Sequence, residues 1–125
     1  MSNATHITLS LACDPHLARI VRMNAANVAT LSNMSVERVE DIRMAAEEAF
    51  IYACASTPGE PLSIAFDADD EHVFMVFELA CDEFAEPAEG DMTAAYADLI
   101  LGSVCDDFDK RTSPAALVLD VKADV

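Results

Sequence analysis

Glycine is scarce in this 125-residue chain: Gly59, Gly90 and Gly102 are the only three, and no G-x-G joins them. A glycine-rich loop that holds phosphates on successive backbone N–H groups is therefore missing. Basic residues are scarce too, seven against twenty-three acids for a formal charge of -16, with Lys110-Arg111 the one adjacent pair. Nucleic acid and anionic lipid need clustered cations, so both are excluded as partners. The four cysteines (Cys13, Cys54, Cys81, Cys105) form no C-x-x-C pair, which argues against a zinc site or a redox dithiol. Three of them fall within apolar patterns, where a free thiol acts as a small hydrophobe. His6, His16 and His72 are dispersed, and Asp67–Glu71 lacks the glycine and spacing of an EF-hand, so no metal site is expected. Ser10, Ser56 and Ser113 show no arrangement with His and Asp partners, so a hydrolase triad has no support. No basic-then-apolar leader opens the chain, and no apolar run approaches the roughly 20 residues of a bilayer span. These absences predict a reduced, cytoplasmic, soluble protein.

What is present is 53% apolar composition, enough for a single ordered domain over 1–125. Ile7, Leu9 and Leu11 alternate with Thr8 and Ser10 as a half-buried strand does. Asp14-Pro15 opens a helix whose inward residues are predicted as Leu17, Ile20, Val21, Asn24, Val28 and Leu31. Ser35 caps a second, longer helix, with Met34 and Val39 as its staple. Its buried stripe is predicted as Val36, Val39, Ile42, Ala46, Ala49, Phe50 and Ala53. After the breaker Thr57–Pro61, the runs 62–66 and 73–79 form a hairpin, the second strand being central because both its faces are apolar. Cys81–Asp91 reads as an acidic loop. A third helix runs from a Thr93 cap to about Asp107, with Tyr96, Ile100, Leu101 and Val104 inward. Lys110–Pro114 reads as a turn before a last strand over Ala116–Val121. Strands joined by hairpins with helices gathered to one side predict an α+β two-layer sandwich.

The second helix carries the phrase Val39-Glu40-Asp41-Ile42-Arg43-Met44-Ala45-Ala46-Glu47-Glu48-Ala49 and continues through Tyr52-Ala53. With the element order, this resembles the histidine-kinase-like (GHKL) ATPase fold, and within it the anti-sigma-factor serine kinases of bacterial partner-switching systems. The likeness runs from the first strand through Val121. It implies a mixed, mostly antiparallel sheet with helices on one face. In that family the helix carries E-A-x-x-N-A, a general-base glutamate and a magnesium-holding asparagine. Glu48, Ala49 and Ala53 match; Tyr52 stands in the asparagine's place. A phenol is a poor ligand for magnesium, which demands near-octahedral oxygen donors.

A second family box places an adenine-binding aspartate and a glycine after the central strand. Here those positions fall on Leu79 and Cys81, with Glu78 or Asp82 as acceptors in a shifted placement. Leucine would leave an adenine N–H unpaired at a cost of roughly 1–3 kcal/mol. The glycine lid is replaced by a loop holding Glu83, Glu86, Glu89 and Asp91. The resemblance thus implies a regulatory domain without ATP or magnesium as cofactors, acting by binding a sigma factor or an anti-anti-sigma antagonist. It also implies partner contacts on the first helix, for which His16, Arg19, Arg22 and Met23 are candidates, and admits a homodimer. The alternatives are an active ATP-dependent serine kinase with Glu48 as base, and a structural subunit of an assembly. A solvated helix acid is the plain structural role for Glu48, and filling the pocket is that for Tyr52.

Overall fold

The computed structural model describes residues 4–125. Strand β1 (Thr5–Ala12) leads through a short 3₁₀ turn (Pro15–Leu17) into helix α1 (Ala18–Ala29), followed by α2 (Val36–Ser56). The hairpin β2 (Pro61–Ala68) and β3 (His72–Glu78) comes next, then α3 (Thr93–Val104), β4 (Asp107–Arg111) and β5 (Ala116–Lys122). The strands form one sheet in the order β1-β2-β3-β5-β4, and β3 is central as its two apolar faces predict. Every pairing is antiparallel, so the mixed sheet implied by the resemblance is not what forms. The fold is α+β, with all three helices on one face of the sheet.

Alternation sets that face. Leu62, Ile64 and Phe66 on β2, Val73, Met75 and Phe77 on β3, and Leu117, Leu119 and Val121 on β5 are buried beneath the helices. The helices follow the order of the strands: α1 lies over β2, α2 over β3 and β5, and α3 beside β4, with α2 packed against both other helices. Burying these side chains supplies the main driving force, on the order of 1.5–3 kcal/mol for each large one. The opposite face stays open and is held by polar pairs. His6 donates to Asp67 at 2.6 Å and His72 to Asp120 at 2.9 Å, with the His72 ring stacked on Phe74.

Local signals place the helix starts. Asp14 accepts from the His16 N–H at 3.0 Å and caps the 3₁₀ turn, so α1 starts three residues later than a continuous helix would. Ser35 caps α2 by accepting from the Arg38 N–H at 3.1 Å, and Asp124 takes the Ser35 N–H at 2.8 Å, tying the end of the chain to this cap. Gly59, at φ 76°, makes the turn after α2, a conformation that favours glycine.

Several expectations are corrected. Ile20, Leu31, Val36 and Tyr96 face solvent, at 53%, 44%, 77% and 56% exposure. In their place small residues do the packing: Ala18, Ala25 and Ala29 on α1, Ala45 on α2 and Ala97 on α3. Alanine lets the helices sit close to their neighbours, and a search for large apolar side chains overlooks it. Helix α3 ends at Val104, and its first turn is bonded by Asp91, which accepts from the Thr93 N–H at 2.9 Å and from its hydroxyl. Residues 107–111 form strand β4, where a longer helix and a turn are predicted. Only Phe108 on it is apolar, so this edge strand carries no alternation to detect.

Candidate functional site

Tyr52 and Glu48 lie one turn apart on α2, on the same side of the helix. Tyr52 is 6% exposed, with Phe84 and Lys110 against it. Phe84, from the loop after β3, stacks on its ring at 5.4 Å between centroids and 18° between planes. Lys110 on β4 donates to its hydroxyl at 2.9 Å, the ammonium lying 4.8 Å from the ring centre. Asp98 on α3 then holds Lys110 at 2.7 Å. The register of β4 against β5 pairs Lys110 with Leu117, whose side chain is on the helix-covered face, so Lys110 is aimed inward at Tyr52. Burial works to lower the Lys110 ammonium, but the bonds to Asp98 and Tyr52 outweigh it and hold its pKa above the usual lysine value. The phenol therefore joins α2, β4 and the 79–92 loop, and Lys110 carries the link on to α3.

A cleft of about 230 Å³ remains beside this cluster. Tyr52, Ala55 and Ser56 form one wall, residues 85–88 another, and Asp91, Thr93 and Ala94 the third. The Ala85 N–H donates to Ser56 Oγ at 3.1 Å, which fastens the loop to the end of α2. Two acids, Glu86 and Asp91, line the cleft. The hydrogen bonds from Thr93 hold the Asp91 carboxyl below the usual carboxylate range, so it stays charged.

The other sequence-predicted positions lie around this cluster with different surroundings. Glu48 is half-buried and does not line the cleft; burial, and next the neighbouring Glu47 charge, push its pKa up. Leu79 is 3% exposed, and its N–H donates to the Ala115 carbonyl at 2.9 Å. The Cys81 carbonyl accepts from the Ala115 N–H at 2.8 Å, and its thiol donates to the Glu83 carbonyl at 3.1 Å. Both residues thus extend the pairing of β3 beyond its end and leave the cleft to others. Burial pushes the Cys54 and Cys105 thiols up to about 12, which keeps them protonated and inert, as their apolar settings predict. Among the described residues no group of His, Cys, Asp and Glu is arranged to hold a metal.

The first-helix candidates separate. Arg19, Arg22 and Met23 line a groove of about 480 Å³ between α1 and α2, together with Val39, Glu40 and Arg43. Arg22 is occupied by Glu47 at 2.8 Å and Arg43 by Glu40 at 2.7 Å. Arg19 is exposed and has no ion-pair partner among the described residues. His16 stays outside the groove, on the 3₁₀ turn, bonded to Asp14 at 3.0 Å. Lys110, Phe84 and Asp98 are the contributors that sequence reasoning misses. Phe84 carried one signal, as the lone aromatic in an acidic loop; Lys110, read as a turn residue, carried none.

Among the described residues, no helix is long and apolar enough to cross a membrane. No protein-family model matches the chain, and no curated protein is detectably similar to it in sequence.

Proposed function

We propose that this chain is a regulatory protein-binding domain of the anti-sigma type, built on a histidine-kinase-like ATPase fold whose nucleotide position is filled by its own side chains. The observation that carries the reading is the Tyr52 clamp. Where the family places a magnesium-holding asparagine, a phenol is stacked on Phe84 and bonded by Lys110. The residues present do not fit magnesium and a triphosphate. The neighbouring cleft, at about 230 Å³, is smaller than the roughly 300 Å³ at which small-molecule sites begin. Glu86 and Asp91 bring negative charge where phosphates would lie, and the nearest cation is taken by Asp98 and Tyr52. The proposed partner is a sigma factor or its antagonist, received at the α1–α2 groove through Arg19 and Met23.

Calorimetric titration with Mg-ATP and Mg-ADP, paired with melting curves, tests the reading. No heat of binding and no stabilisation is the expected result. Saturable binding with a rise in melting temperature that follows ligand concentration overturns it. One observation favours a second reading, an active serine kinase: Glu48 is half-buried with a raised pKa, as suits a proton acceptor. That reading requires nucleotide binding, so the same titration decides between the two.

A further inference from the structure

Helix α3 is apolar around nearly its whole circumference, yet only one side of it is covered. Ala97 and Leu101 are fully buried against the domain. On the far side, Met92 at the cap, Tyr96 and Leu99 are 68%, 56% and 70% exposed. The one charged residue of the helix, Asp98, is held by Lys110 at 2.7 Å. A helix without a polar face belongs in an interior, and an exposed apolar patch marks an interaction site.

The order of the exposed residues says what shape fits. Met92, Ala95, Leu99 and Gly102 follow one another at the 3-4-3 spacing of a coiled-coil seam and lie along one stripe. A methyl group placed on Gly102 would meet no heavy atom within 4 Å, so the end of the seam is low and open to a second helix.

Charge says which helix. The loop entering α3 carries Glu86, Glu89 and Asp91, and the segment leaving it carries Asp107 next to Asp106, which Arg38 neutralises. No Lys or Arg stands between Arg43 and Lys110, and the two cations that reach α3 from other elements, Arg38 and Lys110, are already bonded to carboxylates. A second copy of this chain would bring the same acidic rim to the contact, on top of -16 charges per chain. We infer that the outer face of α3 docks an amphipathic helix of a partner protein, with an apolar seam flanked by lysines or arginines. This surface is separate from the α1–α2 groove and does not depend on the anti-sigma reading.

The test uses the full chain and three labelled synthetic helical peptides of equal length, followed by fluorescence anisotropy. One has a leucine seam with lysine flanks, one the same seam with glutamate flanks, and one the lysine composition with the seam scrambled. The lysine-flanked seam is expected to bind saturably, more weakly as salt rises. The other two peptides should bind at least about tenfold more weakly. Leu99→Asp should lower the affinity at least about tenfold even though it adds a charge of the attractive sign, because a buried leucine contact is lost. Ile20→Asp, on the exposed side of α1, should leave it unchanged. Absence of binding, equal binding of the scrambled peptide, preference for glutamate flanks, or indifference to Leu99→Asp overturns the inference. So does a dimer in sedimentation that Leu99→Asp dissolves, since a second copy would then be the occupant.

Discussion

Replacing Tyr52 with asparagine restores the side chain that the resemblance places there, and it separates packing from chemistry. Tyr52 is 6% exposed, so the change removes a buried ring; comparable aromatic truncations cost roughly 3–5 kcal/mol. About 0.5–1.5 kcal/mol of that belongs to the stack on Phe84, 5.4 Å away. The hydroxyl contributes about 1 kcal/mol through its bond from Lys110, and Tyr52→Phe isolates that part. Lys110 keeps Asp98 in either variant, so no cation is stranded and the loss stays near the lower bound, about 3 kcal/mol for Tyr52→Asn. Urea unfolding followed by circular dichroism, with slopes compared between variants, reads these differences. Mg-ATP titration of Tyr52→Asn should remain flat, because Glu86 and Asp91 still line the cleft. A Tyr52→Asn loss below about 1 kcal/mol would refute the clamp as a packing element. Saturable nucleotide binding by the variant would show that Tyr52 alone had blocked the site.

Other parts of the chain respond differently. Arg38 donates to Asp41 and Asp106 and to the carbonyls of Val104 and Lys122, joining α2, α3 and β5; Arg38→Met should cost roughly 2–4 kcal/mol by urea unfolding. A loss under about 1 kcal/mol would mean that water replaces these bonds freely. Ser35→Ala should cost about 1 kcal/mol as a lost cap. Because Asp124 bonds the same serine, Ser35→Ala and Asp124→Ala should be less than additive in a double-mutant cycle. The pKa of Glu48 is raised by burial, so its ionised form opposes folding at neutral pH. Glu48→Gln should therefore raise the melting temperature at pH 7, and the gain should vanish below the ordinary carboxylate value of 4.5, where both states are protonated. Arg19→Ala should leave stability within about 0.5 kcal/mol, whereas Arg22→Ala should lose roughly 0.5–1 kcal/mol with its pair to Glu47.

The sequence made the strands of the hairpin, the long second helix and its Ser35 cap legible, because each rests on alternation, turn residues or a capping side chain. It failed where the stabilising feature is small or remote. Helices α1 and α3 pack partly through alanines, so a reading that followed large apolar residues placed Val21, Val28 and Leu101 correctly but took in Ile20, Leu31 and Tyr96, which face solvent. Strand β4 exists because β5 supplies a partner and Phe108 reaches the covered face, and pairing of that kind leaves no periodic trace. At the candidate site, the sequence singled out Tyr52 and its position on α2. It did not give the clamp, since Phe84, Asp98 and Lys110 lie 32, 46 and 58 residues away, and Phe84 and Lys110 meet Tyr52, with Asp98 behind Lys110, only when the sheet and the third helix are assembled.

The placement of so few cations is informative in a chain this acidic. Arg22, Arg38, Arg43, Lys110 and Arg111 each neutralise at least one carboxylate, and three of them, Arg22, Arg38 and Lys110, do so between different elements. Most of the positive charge is thereby committed to carboxylates of the chain itself. Arg19 and Lys122 have no ion-pair partner among the described residues; Arg19 lies in a groove beside the exposed Met23, whereas the loops flanking the α3 seam carry Glu86, Glu89, Asp91 and Asp107. The two surfaces flank α2 on opposite sides, because α2 packs against both α1 and α3. The uncommitted charge differs in sign between them, Arg19 in the groove and acids beside the seam, so a segment suited to one proposed surface would be disfavoured at the other. With both proposed surfaces occupied, two dissimilar partners, or two oppositely charged segments of one partner, would engage the domain together without competing for a residue.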